Sequence, residues 1–310
     1  DFYREVGVRK LRMDIRPRIS LPSRPGRFFE FIPSISPRWT GYSDRNDLND
    51  SGYQDRFIYE ANADLLTTFV RDFNVKKFGV GKLSHFVRPS VRYTFIPDVK
   101  QTELPTFDSV DRIMKKNAFD VTLNSTLIGF ILDREGGERV THEYFYLNVS
   151  ESYDVAEHRR RLTGAGDKRR PLGDLKGKLI LRPTLNSKIS AQAALDVYHS
   201  RLNSFDTSVD IKDKRGDELE VAYRFNRAIG SRYLEGAARL KLAKGFGLIY
   251  KNRLVVSGKT SLETLYGADF THQCFGVEVS YTDRPSESLV MATFYLKSLG
   301  KVFHVKGERN

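Results

Sequence analysis

The residues of this chain that could do chemistry are few and poorly arranged for it. Six histidines, His85, His142, His158, His199, His272 and His304, lie scattered without an H-E-x-x-H or Cys/His spacing. A zinc centre is not expected, because its ligands arrive in close-spaced pairs. Neither a G-x-x-x-x-G-K-[ST] phosphate loop nor a G-x-S-x-G nucleophile elbow occurs. Only a Ser/His pair brought together across strands would leave a route to catalysis, so the expectation is no enzyme, no metal and no cofactor. The single cysteine, Cys274, excludes an internal disulfide but leaves open a bridge to another segment. Its other reading is a small apolar residue packed near a strand end.

Charge is the more promising chemistry. The chain carries 51 Lys and Arg against 39 Asp and Glu, a net charge of +12. Arg pairs with phosphate through two parallel hydrogen bonds, so clusters such as Lys10, Arg12, Arg16 and Arg18 suit an anionic partner. The run His158-Arg-Arg-Arg161 with Lys168-Arg-Arg170 could suit a polyanion as well. No nucleic-acid fold signature accompanies it, so no nucleic-acid partner is expected. Contact with lipid phosphates and a simply solvated loop are the two readings left.

What must position these residues is a set of strands. Ile189, Ala191, Ala193, Leu195 and Val197 alternate with Ser190, Gln192 and Asp196, and Leu11, Met13, Ile15 and Ile19 alternate with Arg12, Asp14, Arg16 and Arg18. The same two-residue period recurs at 57–65, 87–95, 205–212, 219–225 and 234–242. The polar face is too densely charged for a dry core, since unpaired buried ions are costly. A wet interior with hydrocarbon outside satisfies both faces. No apolar run approaches the roughly 20 residues of a spanning helix, whereas the segments match the roughly 9 to 11 of a spanning strand.

The expected fold is therefore all-β, an antiparallel transmembrane β-barrel of which roughly fifteen strands are present. Long polar stretches near 38–54, 97–117 and 153–174 alternate with shorter turns, as in outer-membrane barrels. Residues 1–310 read as one domain, without a linker. An odd count whose first strand, near 4–21, runs downward implies further strands outside this sequence, so residues 1–310 are expected to be the C-terminal portion of a larger barrel. The turn 271–273 then falls on the periplasmic side, with Cys274 at that edge.

One segment is more specific. Pro89, Val91, Tyr93, Phe95 and Pro97 lead into a loop with Gln101, Leu104, Pro105, Phe107 and Asp108, followed by Asp111, Arg112 and Ile113. This pattern resembles the C-terminal barrel of the lipopolysaccharide-assembly outer-membrane proteins, the LptD family. Ser152-Tyr-Asp154, Arg170-Pro-Leu-Gly-Asp174, Arg182-Pro183 and Gln273 to Tyr281 look like the same family, so the resemblance covers about His85 to Lys301. Family members often carry adjacent cysteines at the last site; here Cys274 is followed by Phe275.

The resemblance implies transport in the bacterial outer membrane. Lipopolysaccharide would arrive from periplasmic bridge proteins through an N-terminal jellyroll outside this sequence. Its sugars would pass through the lumen around an LptE-like lipoprotein plug, and its acyl chains would leave sideways among outer-membrane lipids. Cys274 would bridge to the N-terminal domain. Leu289, Val290, Met291, Ala292, Thr293, Phe294, Tyr295 and Leu296 would form one side of the lateral gate, or else an ordinary paired closing strand. Lys10, Arg12, Arg16 and Arg18 would face the glycolipid from the lumen, or pair with neighbouring carboxylates and hydrate it. Pro97, Gln101, Pro105, Phe107 and Asp108 mark the family loop. A general porin, and a soluble β-protein binding polyanions, are the alternatives.

Overall fold

The two-residue period is realised as strands throughout. The computed structural model describes residues 2–5, 8–44, 53–75, 80–106, 108–132, 139–243, 245–258, 260–296 and 300–309. Among them are nineteen strand segments and one short helix. The chain divides into two compact units: 1–70 with 86–124 and 150–175, and 71–85 with 125–149 and 176–310.

The first unit holds β1 (Phe2–Glu5), β2 (Val8–Ile15), β3 (Ile19–Ser20), β4 (Glu30–Asp44) and β5 (Tyr53–Leu66). The single first strand expected over 4–21 is instead three short ones. β1 and β2 form a hairpin with Arg4 opposite Arg9. β2 stops at Ile15 because Pro17 has no N–H for a ladder and biases Arg16 away from it. β4 pairs with β2, Arg12 opposite Tyr42, and with β5, Thr40 opposite Arg56. Residues 38–44 were expected in a loop, but partners on both sides hold them in β4.

Four further strands, β6 (Phe69–Asn74), β7 (Val80–Ile96), β8 (Lys116–Leu132) and β9 (Arg139–Asp154), precede the helix α1 (Val155–Arg159). Within the first unit β5 pairs with β7, placing Asp64 opposite Arg92. The second unit contains β10 (Leu175–Thr184), β11 (Ser187–Asp196), β12 (Arg201–Lys212), β13 (Glu218–Asn226), β14 (Ser231–Ala243), β15 (Phe246–Val255), β16 (Thr260–Thr271), β17 (Phe275–Arg284), β18 (Glu287–Leu296) and β19 (Gly300–Arg309). From β11 to β19 each strand runs antiparallel to the next. β1, β3, β6 and β19 account for the excess over the roughly fifteen expected, being short or beyond the last alternating segment.

Turn chemistry fixes the registers. Gly216 has φ +89° and donates its N–H to Asp213 O at 3.1 Å, closing the β12–β13 turn. Any residue with a Cβ is disfavoured at such a φ. Gly276 has another reason to be glycine: it lies opposite Tyr295, and a Cβ there would come within 2.2 Å of the Tyr295 ring.

Burial is inverted relative to a water-soluble sheet. On β13 the apolar Leu219 and Val221 are 50% and 43% exposed, and Leu11, Met13 and Ile15 on β2 are likewise open. Thr40, Arg56 and Arg12 are 0%, 3% and 5% exposed. Apolar strand faces of this extent exposed to water are rare in soluble monomers. The opposite faces are laced by cross-strand ion pairs, among them Asp64–Arg92, Lys212–Glu218 at 2.7 Å and Glu235–Arg253 at 2.5 Å. No helix among the described residues is long and apolar enough to cross a membrane, which says nothing about crossing by strands.

Candidate functional site

The polar faces of β2, β4 and β5 carry a buried cluster in the first unit. Antiparallel pairing sets Arg12 beside Tyr42 and Thr40 beside Arg56, so all four side chains share one face. The loop of residues 97–115, between β7 and β8, lies on that face.

Asp111 is the pivot, with no exposed surface. Tyr42 Oη donates to Asp111 Oδ1 at 2.5 Å and Arg12 Nη1 to the same oxygen at 3.0 Å. The other oxygen, Oδ2, accepts from the Asp108 N–H at 3.1 Å. Arg12 Nη1 also reaches Asp108 Oδ1 at 2.8 Å, so one guanidinium holds two loop carboxylates three residues apart.

Arg56 grips the loop backbone instead. Its Nη1 donates to Asp111 O at 3.0 Å and Gln101 Oε1 at 2.7 Å; its Nη2 donates to Val110 O at 2.9 Å and Thr40 Oγ1 at 3.0 Å. None of these oxygens bears a full charge. These four bonds from Nη1 and Nη2 replace much of the water that the guanidinium loses on burial, while its Nε is buried without a hydrogen-bond partner.

The loop is also tied internally. The Gln101 side chain pairs with the Ile113 backbone in both directions, Nε2 donating to Ile113 O at 2.8 Å and Oε1 accepting from Ile113 N at 3.0 Å. Arg112 Nη2 donates to Leu104 O at 2.7 Å, and its Nη1 to Pro105 O at 3.4 Å. Leu104 is buried beneath this turn.

Of the residues expected at a site, Arg12, Gln101, Pro105 and Asp108 come together here. Pro97 opens the loop, half-buried. Phe107 and the Lys10 side chain lie outside the described residues. Arg16 pairs with Glu60 at 2.6 Å, and Arg18 donates to Ser34 Oγ at 3.3 Å. Arg12 and Arg16 are thus held by carboxylates. Asp111, which the sequence offers only as part of the family pattern, completes the cluster together with Tyr42, Thr40 and Arg56, for which the sequence carries no signal of a site.

The remaining candidates stand apart. Leu289 to Leu296 form most of β18, which pairs with β17 on one side and β19 on the other, Val290 facing Tyr281 and Gly307. Cys274 is exposed, in the turn between β16 and β17, with its thiol free. Among the described residues no group of three or more His, Cys, Asp or Glu could hold a metal ion. His85 Nε2 lies 2.8 Å from Ser125 Oγ. Chemically the cluster fastens a loop to a polar strand face.

Comparison with known proteins supplies the context. The profile of the LPS transport system D family matches residues 1–250. The match begins well before His85, where the resemblance was placed, and ends before Cys274 and β18. The LPS-assembly protein LptD of Methylococcus capsulatus (strain ATCC 33009 / NCIMB 11132 / Bath) is 24% identical over 257 residues, covering 72% of this chain and 24% of that protein. The chain thus spans about a quarter of that relative's length.

Proposed function

The chain belongs to the LPS transport system D family, and we propose that it forms part of the wall of an outer-membrane barrel that delivers lipopolysaccharide to the outer leaflet. The family match over residues 1–250 is the observation that carries this. The inverted strand faces support it: exposed Leu and Val suit hydrocarbon, and ion-laced polar faces suit a hydrated lumen for sugars.

In this proposal the protein is a transporter and not an enzyme. Residues 1–310 are a C-terminal portion of the barrel domain, and a periplasmic jellyroll elsewhere in the whole protein receives cargo from bridge proteins. An LptE-like lipoprotein occupies the lumen, and Cys274, exposed and free of an internal partner, bridges to the periplasmic domain. Acyl chains leave sideways into the membrane along Leu289 to Leu296. A closed barrel has no free edge, so such an exit requires one seam, between the first and last strands of the barrel, weak enough to open, with β18 contributing to one side of it. The 97–115 loop, fastened by Asp111, narrows the lumen.

Photo-crosslinking in living cells tests the proposal. A benzophenone amino acid replaces Glu60 or Glu220 on polar faces, Val221 on an apolar face, or Val290 on β18. Lipopolysaccharide captured at positions 60 and 220, and at 290 but not 221, is the expected result. Capture at none of them, with conductance of small solutes by the purified protein, would favour a general porin and sink the transport proposal.

A further inference from the structure

Residues 155–170 crowd six cations, Arg159, Arg160, Arg161, Lys168, Arg169 and Arg170, against two carboxylates, Glu157 and Asp167. With His158 neutral that is +4, a third of the chain's net charge of +12 in sixteen residues. Like charges so close repel, and a loop free to open would separate them. This one is closed by its own hydrogen bonds. At its base Gly173 N donates to Ser152 O at 2.8 Å and Asp154 N to Pro171 O at 2.7 Å. Asp154 also caps α1, accepting from Glu157 N at 3.0 Å.

Arg160 is the clasp. Its guanidinium takes both oxygens of Glu157, at 2.7 and 3.1 Å, and both oxygens of Asp167, at 2.7 Å each. The two segments are drawn further together by Arg169 Nε on Arg160 O at 2.9 Å and Arg170 N on Glu157 Oε1 at 3.2 Å. Both carboxylates of the loop are therefore spent on one arginine. Arg159, Arg161, Lys168 and Arg169 keep exposed side chains with no carboxylate partner among the described residues. At the tip a Cβ on Gly164 or Gly166 would meet nothing within 4 Å.

We propose that this clasped loop is a docking surface for phosphate groups on the saccharide headgroup of a membrane glycolipid, engaged through Arg159, Arg161, Lys168 and Arg169. Several guanidinium groups held close by a preformed loop match several phosphates on one saccharide, and little ordering is left for binding to impose. The choice of a glycolipid rests on the transport proposal above; the preference for phosphate rests on the loop alone.

The test uses the full-length protein in detergent and a soluble probe, the phosphorylated oligosaccharide released from lipopolysaccharide by deacylation, with a dephosphorylated sample beside it. The quadruple variant Arg159→Ser, Arg161→Ser, Lys168→Ser, Arg169→Ser should bind the phosphorylated probe about tenfold or more weakly, as expected when several charge-assisted hydrogen bonds are lost. The dephosphorylated probe should bind wild type no better than the phosphorylated probe binds the variant. Unchanged binding by a variant that retains heat-modifiable migration overturns the docking surface, as does equal affinity for the two probes. Inorganic phosphate binding as tightly as the saccharide, or a DNA oligonucleotide binding more tightly, overturns the choice of partner. If the quadruple variant does not fold, Arg159→Lys with Arg169→Lys is used, and wild-type affinity must fall as salt rises from about 50 to about 300 mM; salt-independent binding counts against the proposal. Saccharide binding without capture of lipopolysaccharide on the polar faces would strike the transport proposal and leave the docking surface standing; the reverse would strike the docking surface alone.

Discussion

Arg12 and Asp111 stand ninety-nine positions apart in the chain, yet Arg12 Nη1 lies 3.0 Å from Asp111 Oδ1 in a site closed to solvent. That pair joins the second strand to a loop reached only after several more strand segments. The loop therefore cannot take its place until the β2–β4–β5 ladder exists.

Stripping a buried charge of its partner costs about 3–5 kcal/mol, and Asp111→Ala should cost less than that because Arg12 keeps Asp108 at 2.8 Å. Asp111→Ala should lower the temperature at which the heat-modifiable form is lost and speed trypsin cleavage after Lys100 and Lys115, whose side chains are already exposed. Tyr42→Phe removes one hydrogen bond to a charged acceptor and should cost about 1.5–3 kcal/mol. An Asp111→Ala protein as stable and protease-resistant as wild type would refute the anchoring role.

The Arg160 clasp has a defined pH response. Hydrogen bonds from Arg160 hold the Asp167 and Glu157 carboxyls below the ordinary carboxylate range. Their folded values are depressed, so the contribution to stability is complete above the unfolded values near about 4 and fades only as pH falls through the lower folded ones. A spin label at Ala165 should stay equally restrained from about pH 7 down to about 4 and loosen below that. Asp167→Asn should loosen it at neutral pH too. Loosening of the wild-type loop between about pH 7 and 5 would contradict the assignment.

Strand faces give a test of the membrane environment. Val221→Arg places a cation on the exposed apolar face of β13 and should cost about 2–4 kcal/mol if that position lies near the bilayer midplane. Glu220→Arg, one residue away on the other face, should be tolerated far better. Equal tolerance in assembly assays would argue against a lipid-facing surface.

Gly276→Val would drive side-chain atoms into the ring of Tyr295 and should destabilise by about 1–3 kcal/mol, as overpacking usually does. Adding Tyr295→Ala should return part of that loss. A double-mutant cycle with no coupling would show that the ring moves aside without cost.

Much of the architecture could be read from alternation, because a strand with two different solvents on its faces must repeat every two residues. Val221 against Glu220 shows this as clearly in sequence as in structure. The break at Pro17 was written in the chain too, but the apolar period continuing through Ile19 and Leu21 masked it. Residues 38–44 were obscured because Arg38, Gly41 and Ser43 look like loop composition, while their strand state depends on partners in β2 and β5. The buried cluster was the least legible part. Arg12 was visible as a lumen cation, and Gln101 and Asp108 as family-motif residues, but no local pattern says that Asp111 meets Tyr42, sixty-nine positions away. Helix α1 was also missed, since five residues are too few for a helical period and its support is one Asp154 cap.

Few large apolar side chains in the described part of this chain are buried, and Tyr42, Ile58, Leu104 and Ile249 are dispersed over several elements. The greasy side of each strand gains its shelter from whatever liquid surrounds the protein. Water offers none, so a chain released there has little reason to prefer this shape over a tangled aggregate. Contact with a bilayer is accordingly a folding step in its own right, and the same polypeptide should reach its native form only after it meets lipid.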